Sequence, residues 1–237
     1  MQWLNSGVQQ LGFRLTPGQV QQFSLYRQEL IAWNRRVNLT AITEPVEIER
    51  LHFLDSLTVA LALPQAVLAG GRILDVGSGA GFPGVPLKVL FPSLKLTLIE
   101  SRAKRTEFLV ALVAKLGLEG VDILTGRSED LAHDAPLREG FDVVVSRGVA
   151  PLRILLEFTL PFCCLGGQAI LQKKGDIMPE VAEATGALGE LGGRLLKLET
   201  VPEEVLDGQR KLVVVEKVAP TPAKYPRRAG IPAKRPL

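Results

Sequence analysis

Apolar side chains recur along this chain at two different spacings. Over residues 1–66 they recur every three or four positions, which is the spacing of a helix with one buried face. One helix is predicted to begin within residues 16–19, which have the form of a capping box with a proline at the first helical position. A second helix is predicted over residues 46–61. The first 66 residues are therefore expected to form a helical region.

From residue 72 onward, short apolar runs alternate with helical patterns. The alternation is typical of an α/β fold, in which a doubly wound parallel sheet is covered by helices on both faces. Predicted strands cover residues 73–76, 94–99, 121–124, 141–145, 169–172, 195–198 and 212–215, and predicted helices cover residues 84–91, 102–116, 151–162 and 179–191. The last two strands lie close together in sequence, which indicates an antiparallel pair. We expect this domain to span residues 67–219.

Residues 220–237 differ from the rest of the chain in charge. They contain five basic residues and no acidic one, and the remainder of the chain has 23 basic against 25 acidic residues. Five prolines in this segment argue against a regular helix and favour an extended, solvated strip. The net charge of +3 is therefore expected to reside in a basic, proline-rich tail.

The whole chain has the composition of an ordinary globular protein. It is 46% hydrophobic and 22% charged, enough apolar material for a packed core. The start of the chain lacks a secretory pattern, and the apolar runs are interrupted short of a membrane span. The two cysteines, Cys163 and Cys164, are adjacent and make a poor disulfide pair, so we interpret them as core residues. We expect a soluble, cytoplasmic protein without a membrane contact.

The segment 75–84, DVGSGAGFPG, leaves the first predicted strand and enters the first helix of the sheet. Ligands of doubly wound sheets bind at the carboxyl ends of the strands, where this turn lies, and glycines let a ligand approach the backbone closely. Gly79, Gly81 and Gly84 match the spacing of a dinucleotide fingerprint. However, the strand ends near residue 76, so the first turn glycine is Gly77 and the third fingerprint position falls on Phe82. Asp-x-Gly-x-Gly-x-Gly is the better register.

Two carboxylates decide which cofactor suits this turn. Asp75, just ahead of the turn, would repel a pyrophosphate but suits the sulfonium and ammonium groups of S-adenosylmethionine. Glu100 ends the second strand, 23 positions after Gly77, where it can accept hydrogen bonds from ribose hydroxyls. A nicotinamide enzyme and a tight turn without a ligand remain open as alternatives at this point.

Other strand ends add candidates for the same site. Ser128 and Glu129 follow the third strand, where such domains usually contact the adenine edge. Arg147 ends the fourth strand and faces the place expected for a methyl acceptor, so it is a candidate for positioning that acceptor. The cations Arg102, Lys104 and Arg105 open a helix, an unfavourable place for them with respect to the helix dipole, which favours a binding role.

The residues named so far, with several others, resemble those of bacterial small-subunit ribosomal RNA guanine-N7 methyltransferases, the glucose-inhibited division B family. The resemblance covers nearly the whole chain: residues 38–40, 51–56, 75–87, 100–105, 126–129, 146–150, 174–175, 208–211 and 225–234. It implies a Rossmann-like class I methyltransferase sheet with an N-terminal helical extension. The implied reaction moves the methyl group of S-adenosylmethionine to N7 of one guanine in the decoding-region loop of 16S rRNA.

The resemblance and the glycine turn together give the predicted site residues. The partner is expected to be 16S rRNA or a small-subunit ribosomal particle, acted on by a monomer. Cofactor contacts are predicted for Asp75, Gly77, Gly79, Gly81, Phe82, Glu100, Ser101, Arg102, Ser128, Glu129 and Arg147. RNA contacts are predicted for His52, Arg127, Lys173, Lys174, Arg210, Lys211, Arg227 and Arg228, because cations clustered at strand ends and in the tail suit phosphates.

The chemistry of guanine N7 needs no proton acceptor, because N7 carries a free lone pair and no proton. His52 and Asp55 are three positions apart and make a poor metal site, so no metal is predicted. A hydrogen bond between these two side chains, bracing the helical region, is the alternative to an RNA role for His52. A methyltransferase of small molecules, a nicotinamide oxidoreductase and a non-catalytic RNA-binding module remain alternative functions.

Overall fold

A computed structural model describes residues 1–148 and 150–237 of the chain. Val149, part of the segment 146–150 that supports the family resemblance, lies outside the described residues. One seven-stranded sheet runs through the molecule in the order β3-β2-β1-β4-β5-β7-β6. Its strands are β1 (Arg72–Val76), β2 (Lys95–Glu100), β3 (Val121–Thr125), β4 (Phe141–Arg147), β5 (Cys163–Lys174), β6 (Gly193–Thr200) and β7 (Arg210–Lys217).

The first five strands are parallel, and β7 is antiparallel to both β5 and β6. The predicted doubly wound α/β fold and its final antiparallel pair are therefore confirmed. Strand β1 lies between β2 and β4, so the strand order reverses at β1. Loops leaving the carboxyl ends of β1 and β4 diverge at such a point and open a crevice, which is where ligands bind in sheets of this kind.

Helices precede the sheet and cover both of its faces. The predicted capping box is present, since Gln19 N–H donates to Thr16 Oγ1 over 3.2 Å and Thr16 N–H donates to Gln19 Oε1 over 2.8 Å. The helices are α1 (Gln2–Gln10), α2 (Pro17–Val37), α3 (Pro45–Ile48), α4 (Asp55–Leu57), α5 (Gln65–Leu68), α6 (Gly84–Leu90), α7 (Ala103–Leu116), α8 (Ser128–Leu131), α9 (Leu152–Thr159), α10 (Met178–Glu183), α11 (Thr185–Leu191) and α12 (Ile231–Lys234).

The helical segment predicted over residues 46–61 is present but changes its winding along its length. It begins as α3, widens to a π-helix over Glu49–Leu54, continues as α4 and ends as a tighter 3-10 helix over Thr58–Leu61. A π-helical stretch offsets the side chains on either side of it and occurs frequently at functional sites. His52 and Asp55 lie in and directly after this stretch.

The core has two layers, one on each face of the sheet. Ile73 of β1 packs with the N-terminal helices, α6 and α7, whereas the next residue, Leu74, packs with α9 and α11 on the opposite face. This alternation follows from the two-residue period of a strand. The N-terminal helices therefore belong to the same core as the glycine turn, and Tyr26 of α2 donates from its hydroxyl to the Ala80 carbonyl within that turn.

The prediction of an extended, solvated strip over residues 220–237 is wrong. Thr221, Tyr225 and Pro232 are buried against the sheet domain, and the segment ends in the short helix α12. The prolines exclude a long helix but leave the backbone carbonyls free, and side chains of the sheet domain donate hydrogen bonds to them. Among the described residues, no helix has the length and apolar character needed to cross a membrane.

Candidate active site

A cleft of about 460 Å³ opens at the carboxyl ends of β1, β2 and β4, where the strand order reverses. The N-terminal region contributes one wall through Leu39, Thr40 and His52. Most of the predicted cofactor residues line the cleft together: Gly77, Gly79, Phe82, Glu100, Ser101, Arg102, Ser128, Glu129 and Arg147. Residues from several segments between positions 77 and 147 thus meet in one cleft.

The glycine turn has the backbone conformation that its sequence predicts. Gly77, Gly79 and Gly81 all have positive φ values, of 74°, 58° and 94°, in the left-handed region that side chains other than glycine rarely adopt. The amides of Gly77 and Ser78 donate to the carbonyl of Ile99 at the end of β2. Gly81 does not line the cleft; a Cβ there would lie 2.7 Å from the Tyr26 hydroxyl, so Gly81 permits the close approach of α2.

Asp75 lies beneath the turn rather than on the cleft surface. Its carboxylate is fully buried, Oδ2 accepts the Gly84 amide over 2.8 Å at the start of α6, and Oδ1 has no hydrogen-bond partner among the described residues. Burial raises the pKa of Asp75 to about 7, and Arg147 opposes that rise. Asp75 therefore organises the turn and leaves one buried oxygen able to respond to a nearby cation.

Glu100 connects the glycine turn to the start of α7. It is buried, Oε2 accepts the Gly79 amide over 3.0 Å, and Oε1 accepts the Arg102 amide over 2.8 Å. Arg105 lies 3.7 Å from Oε2. The carboxylate is thus fixed at the carboxyl end of β2 by backbone donors on both oxygens, and its remaining lone pairs can accept ligand hydroxyls.

Glu129, which follows β3, also lines the cleft. It is buried, and its Oε2 accepts a hydrogen bond of 3.2 Å from the Ser128 hydroxyl. Its Oε1 accepts the amide of Gly230, over 3.1 Å, from the carboxyl-terminal segment. No local pattern indicates this last contact, because the two residues are 101 positions apart.

A second group of cleft residues surrounds Arg147. Its guanidinium lies 4.9 Å from the centre of the Phe82 ring and donates to Asp55 Oδ2 over 2.8 Å. The imidazole ring of His52 stacks on the same Phe82 ring, with 4.6 Å between the ring centres and an interplanar angle of 17°. The π-helical stretch and the end of β4 are joined by these contacts.

His52 does not hydrogen-bond to Asp55, so the alternative of a bracing pair between these two side chains is wrong. Its Nε2 is 2.7 Å from Thr40 Oγ1, and its Nδ1 is 3.4 Å from Arg147 Nη2. Burial and, after it, the neighbouring Arg147 lower the pKa of His52 to about 4. His52 is therefore neutral near pH 7, and it shares Arg147 with Asp55 as a common neighbour.

Four of the residues predicted to contact RNA are held in contacts within the protein. Arg210 Nε donates to Asp55 Oδ1 over 3.0 Å, and Lys173 lies 2.7 Å from Glu180 Oε2. Arg227 forms an ion pair with the fully buried Glu157. The fourth, His52, is in the cluster described above. These contacts assign each side chain a structural partner that the local sequence does not reveal.

The other four predicted RNA contacts are more accessible. Lys211 is half-buried and donates from Nζ to the Thr200 hydroxyl over 2.7 Å. Arg127, Lys174 and Arg228 are exposed, and no ion pair is formed by any of them with another described residue. Arg127 also lines the cleft. These three side chains can reach a ligand in solution without breaking an internal contact.

Some cleft residues were missed at the sequence level. Leu39 and Thr40 belong to the segment 38–40, which supports the family resemblance but is not among the predicted contact residues. Phe158 lines the cleft from α9 and has no local pattern that indicates a ligand. Both walls are formed by tertiary packing, which a local pattern does not encode.

Comparison with known proteins agrees with the arrangement of this cleft. The family model of rRNA small subunit methyltransferase G matches residues 19–212. The ribosomal RNA small subunit methyltransferase G of Dehalococcoides mccartyi strain BAV1 is 48% identical over 98% of this chain and 97% of its own length. The protein of the same name from Roseiflexus castenholzii is 48% identical over 95% of both chains.

Among solved structures, MtNAS in complex with MTA and tNA is similar in fold, with a TM-score of 0.57 and 16% identity over 84% of this chain and 73% of its own. At that identity the likeness shows the fold alone. The family match covers most of the chain, and it bears out the predicted methyltransferase class with S-adenosylmethionine as cofactor rather than a nicotinamide enzyme. The chain belongs to the rRNA small subunit methyltransferase G family.

Proposed function

We propose that this protein transfers the methyl group of S-adenosylmethionine to N7 of a guanine in the decoding-region loop of 16S rRNA. The observation that carries the proposal is the cleft itself. It joins a glycine turn and Glu100 on one side to the cluster of His52, Phe82 and Arg147 on the other, in a chain of an rRNA methyltransferase family. One side suits a nucleoside cofactor, and the other suits a flat base.

The residues of the first side fit S-adenosylmethionine. Glu100 offers a fixed carboxylate to a ribose, and Gly79 presents its backbone to the cleft with no side chain in the way. The unpartnered Oδ1 of Asp75 beneath the turn provides negative potential for a positively charged ligand. When bound, the cofactor supplies an electrophilic methyl group on a positively charged sulfur.

The residues of the second side fit a guanine base. His52 and Phe82 form a stacked aromatic pair at the cleft, and unstacked RNA bases bind proteins by stacking on such rings. Arg147 is fixed by Asp55, so its charge is held at the carboxyl end of β4. We assign Arg147 to positioning the acceptor base rather than to proton transfer, since an arginine stays protonated at neutral pH.

No group of the cleft needs to accept a proton in this reaction. Guanine N7 attacks with a lone pair and the methylated base remains cationic. His52, with a pKa of about 4, is a weak base, and Glu100 and Glu129 are both engaged by N–H donors. Rate enhancement then comes from alignment of the two reactants and from the electrostatics of a preorganised cleft.

Phosphate contacts are assigned to the exposed cations. Arg127, Lys174 and Arg228 carry this part of the proposal, because their charges are available to RNA without loss of an internal ion pair. Lys211 is available after release of one hydrogen bond to Thr200. For Lys173, Arg210 and Arg227 any influence on RNA passes through the residues that they hold in place.

The test is to map labelled methyl groups on RNA treated with this protein and methyl-labelled S-adenosylmethionine. Naked small-subunit RNA and the small ribosomal particle are compared as substrates. A guanine methylated at N7 becomes sensitive to borohydride reduction followed by aniline cleavage, whereas one methylated on its exocyclic amine does not. We expect one labelled guanine, cleaved under these conditions, in the decoding-region loop. Label on an uncleaved nucleotide, or only on a small molecule, contradicts the proposal.

A further inference from the structure

The carboxyl-terminal segment, residues 218–237, returns to the sheet domain after β7 and is anchored at several points. Arg138 is the main donor, with Nη1 2.9 Å from the Tyr225 carbonyl and Nη2 2.7 Å from the Thr221 carbonyl. The fully buried Lys217 donates to the Thr221 hydroxyl. The segment is thus fixed along its first half by side chains from β7 and from the turn before β4.

The strongest anchor is the pair of Arg227 and Glu157. Glu157 lies on α9 with no solvent exposure, and Arg227 surrounds its carboxylate with donors. The amide of Arg227 donates to Oε1 over 2.7 Å, Nε donates to the same oxygen over 2.9 Å, and Nη2 donates to Oε2 over 2.6 Å. Charge-assisted bonds of this kind fix position and orientation together.

Three residues further on, the segment reaches the cofactor side of the cleft. The Gly230 amide donates to Glu129 Oε1, while the Ser128 hydroxyl donates to Glu129 Oε2. Gly230 has a φ of +85°, which directs the backbone into helix α12 and is open to glycine at no steric cost. Both oxygens of a buried cleft carboxylate are therefore held, one of them from the far end of the chain.

We propose that residues 225–230 are a structural part of the cofactor site, with Gly230 as a positioning residue that holds Glu129. The inference rests on the proposed function, since it assigns the cleft beside Glu129 to the adenosine part of the cofactor. Without the Gly230 amide, Glu129 has an unpaired buried oxygen, and Ser128 and Glu129 lose the fixed arrangement that they present to the cleft. Cofactor affinity then depends on a segment distant in sequence from the glycine turn.

Two truncated proteins test this inference. One ends at Ala229 and lacks Gly230; the other ends at Pro232 and retains it. Both lack Lys234 and Arg235, so they are matched in charge. Affinity for S-adenosylhomocysteine, the demethylated product, is measured by calorimetry. We expect the shorter protein to bind about tenfold more weakly, the effect of losing one hydrogen bond to a charged group, and the longer one to stay within about twofold of the full chain.

Two further readouts distinguish an effect on the cofactor site from a general effect of the truncation on the structure. The KM for S-adenosylmethionine rises in the shorter protein while kcat stays within about twofold, because the reacting groups lie on the other side of the cleft. Glu129→Gln weakens binding in the full chain but adds little in the shorter protein, because the contact is already absent there. Equal affinity in all three proteins, or an equal loss in both truncated ones, overturns the inference.

Gly230→Ala covers the case in which the shorter protein does not fold. A side chain at a φ of +85° is strained although the surrounding space is open, so this substitution displaces the amide without shortening the chain. The same loss of affinity is expected, and an unchanged affinity overturns the inference. If the full chain itself does not bind S-adenosylhomocysteine, the proposed function fails instead, so the two failures are distinguishable.

Discussion

The cations of this protein fall into two groups that look alike in the sequence. Arg147, Arg210 and Arg227 are each held by a buried carboxylate, whereas Arg127 and Arg228 are exposed. Arg227 and Arg228 are adjacent, yet they belong to different groups. The difference shows that a cluster of basic residues at strand ends or in a tail does not by itself identify a surface for RNA.

Acidic partners from distant parts of the chain separate the two groups. Asp55 binds Arg147 and Arg210, which are 92 and 155 positions away, and Glu157 binds Arg227 from 70 positions away. Such pairs connect the helical region, the sheet and the carboxyl-terminal segment. Arg147, Arg210 and Arg227 therefore connect distant elements of the protein, whereas Arg127 and Arg228 form no ion pair with another described residue.

The largest expected effect is on stability, from Arg227→Ala. The substitution leaves the fully buried Glu157 without its partner, and breaking a buried ion pair costs about 3–5 kcal/mol of unfolding free energy. The matched control is Arg228→Ala at the exposed neighbour, which should stay within about 0.5 kcal/mol of the unsubstituted protein. Urea unfolding measures both, and equal losses would break the division into two groups.

The next largest effect is expected on cofactor affinity, when a buried carboxylate is compared with an exposed one. Glu100 is buried in the cleft and Glu107 is exposed on α7. Glu100→Ala should weaken S-adenosylhomocysteine binding by about 1.5–3 kcal/mol, the value of hydrogen bonds to a charged group. Glu107→Ala should leave calorimetric affinity unchanged. An unaltered affinity in the Glu100 variant removes that residue from the cofactor site.

A smaller effect is expected from the pH dependence of cofactor binding. Burial raises the pKa of Asp75 to about 7, so this carboxyl is uncharged below that pH and charged above it. A positively charged cofactor favours the charged form, so affinity should rise as pH increases through 7, by at most about tenfold per pH unit for one proton. Calorimetry from pH 6 to 8 measures it, and Asp75→Asn should remove the dependence if the variant folds.

The contribution of Asp75 to the free energy of unfolding decreases with rising pH, in the opposite direction to its effect on cofactor affinity. Its pKa in the folded chain is above the ordinary value of 3.8, so the folded state binds the proton more tightly. The stability this gives is fully present below pH 4 and is lost as pH rises through about 7. A cofactor affinity that falls over the same range would contradict the placement of Asp75 near the positive charge.

The smallest effects concern the exposed cations individually. Arg127→Ala, Lys174→Ala and Arg228→Ala should each reduce the slope of log affinity against log salt for RNA by up to about 0.7–0.9, because each neutralised phosphate releases counterions. Unfolding free energy should change little. Glu204→Ala is a control for an exposed charge between β6 and β7, and unchanged slopes in all three cation variants place the RNA surface elsewhere.

The fold and the cofactor side of the cleft could be predicted because their signals are local. The strands are short apolar runs, and residues 75–84 contain the whole turn in one stretch. The orientation of Asp75 could not be predicted in this way, because residues 73–76 are buried on both faces of the sheet and alternation gives no direction. The sequence therefore predicts which residues meet in the cleft, but not the orientation of every side chain among them.

The carboxyl-terminal segment shows why the remainder was not predictable. Its prolines and cations predict an extended strip, because composition indicates only which regular structures are excluded. Composition does not indicate whether the segment packs against the sheet domain. The residues that bind it are Arg138, Glu157 and Glu129, from three separate elements of the sheet domain. No pattern within residues 220–237 carries information about them.

Methylation at guanine N7 can be tested with an RNA that has 7-deazaguanosine at the mapped position. This base replaces N7 by a C–H group and keeps the exocyclic amine and O6, so stacking and most base-edge contacts are preserved. Single-turnover transfer from labelled S-adenosylmethionine is compared with the guanosine-containing RNA at equal binding saturation. We expect the 7-deaza RNA to bind but to receive no label. Label transferred to it at a comparable rate would contradict methylation at N7.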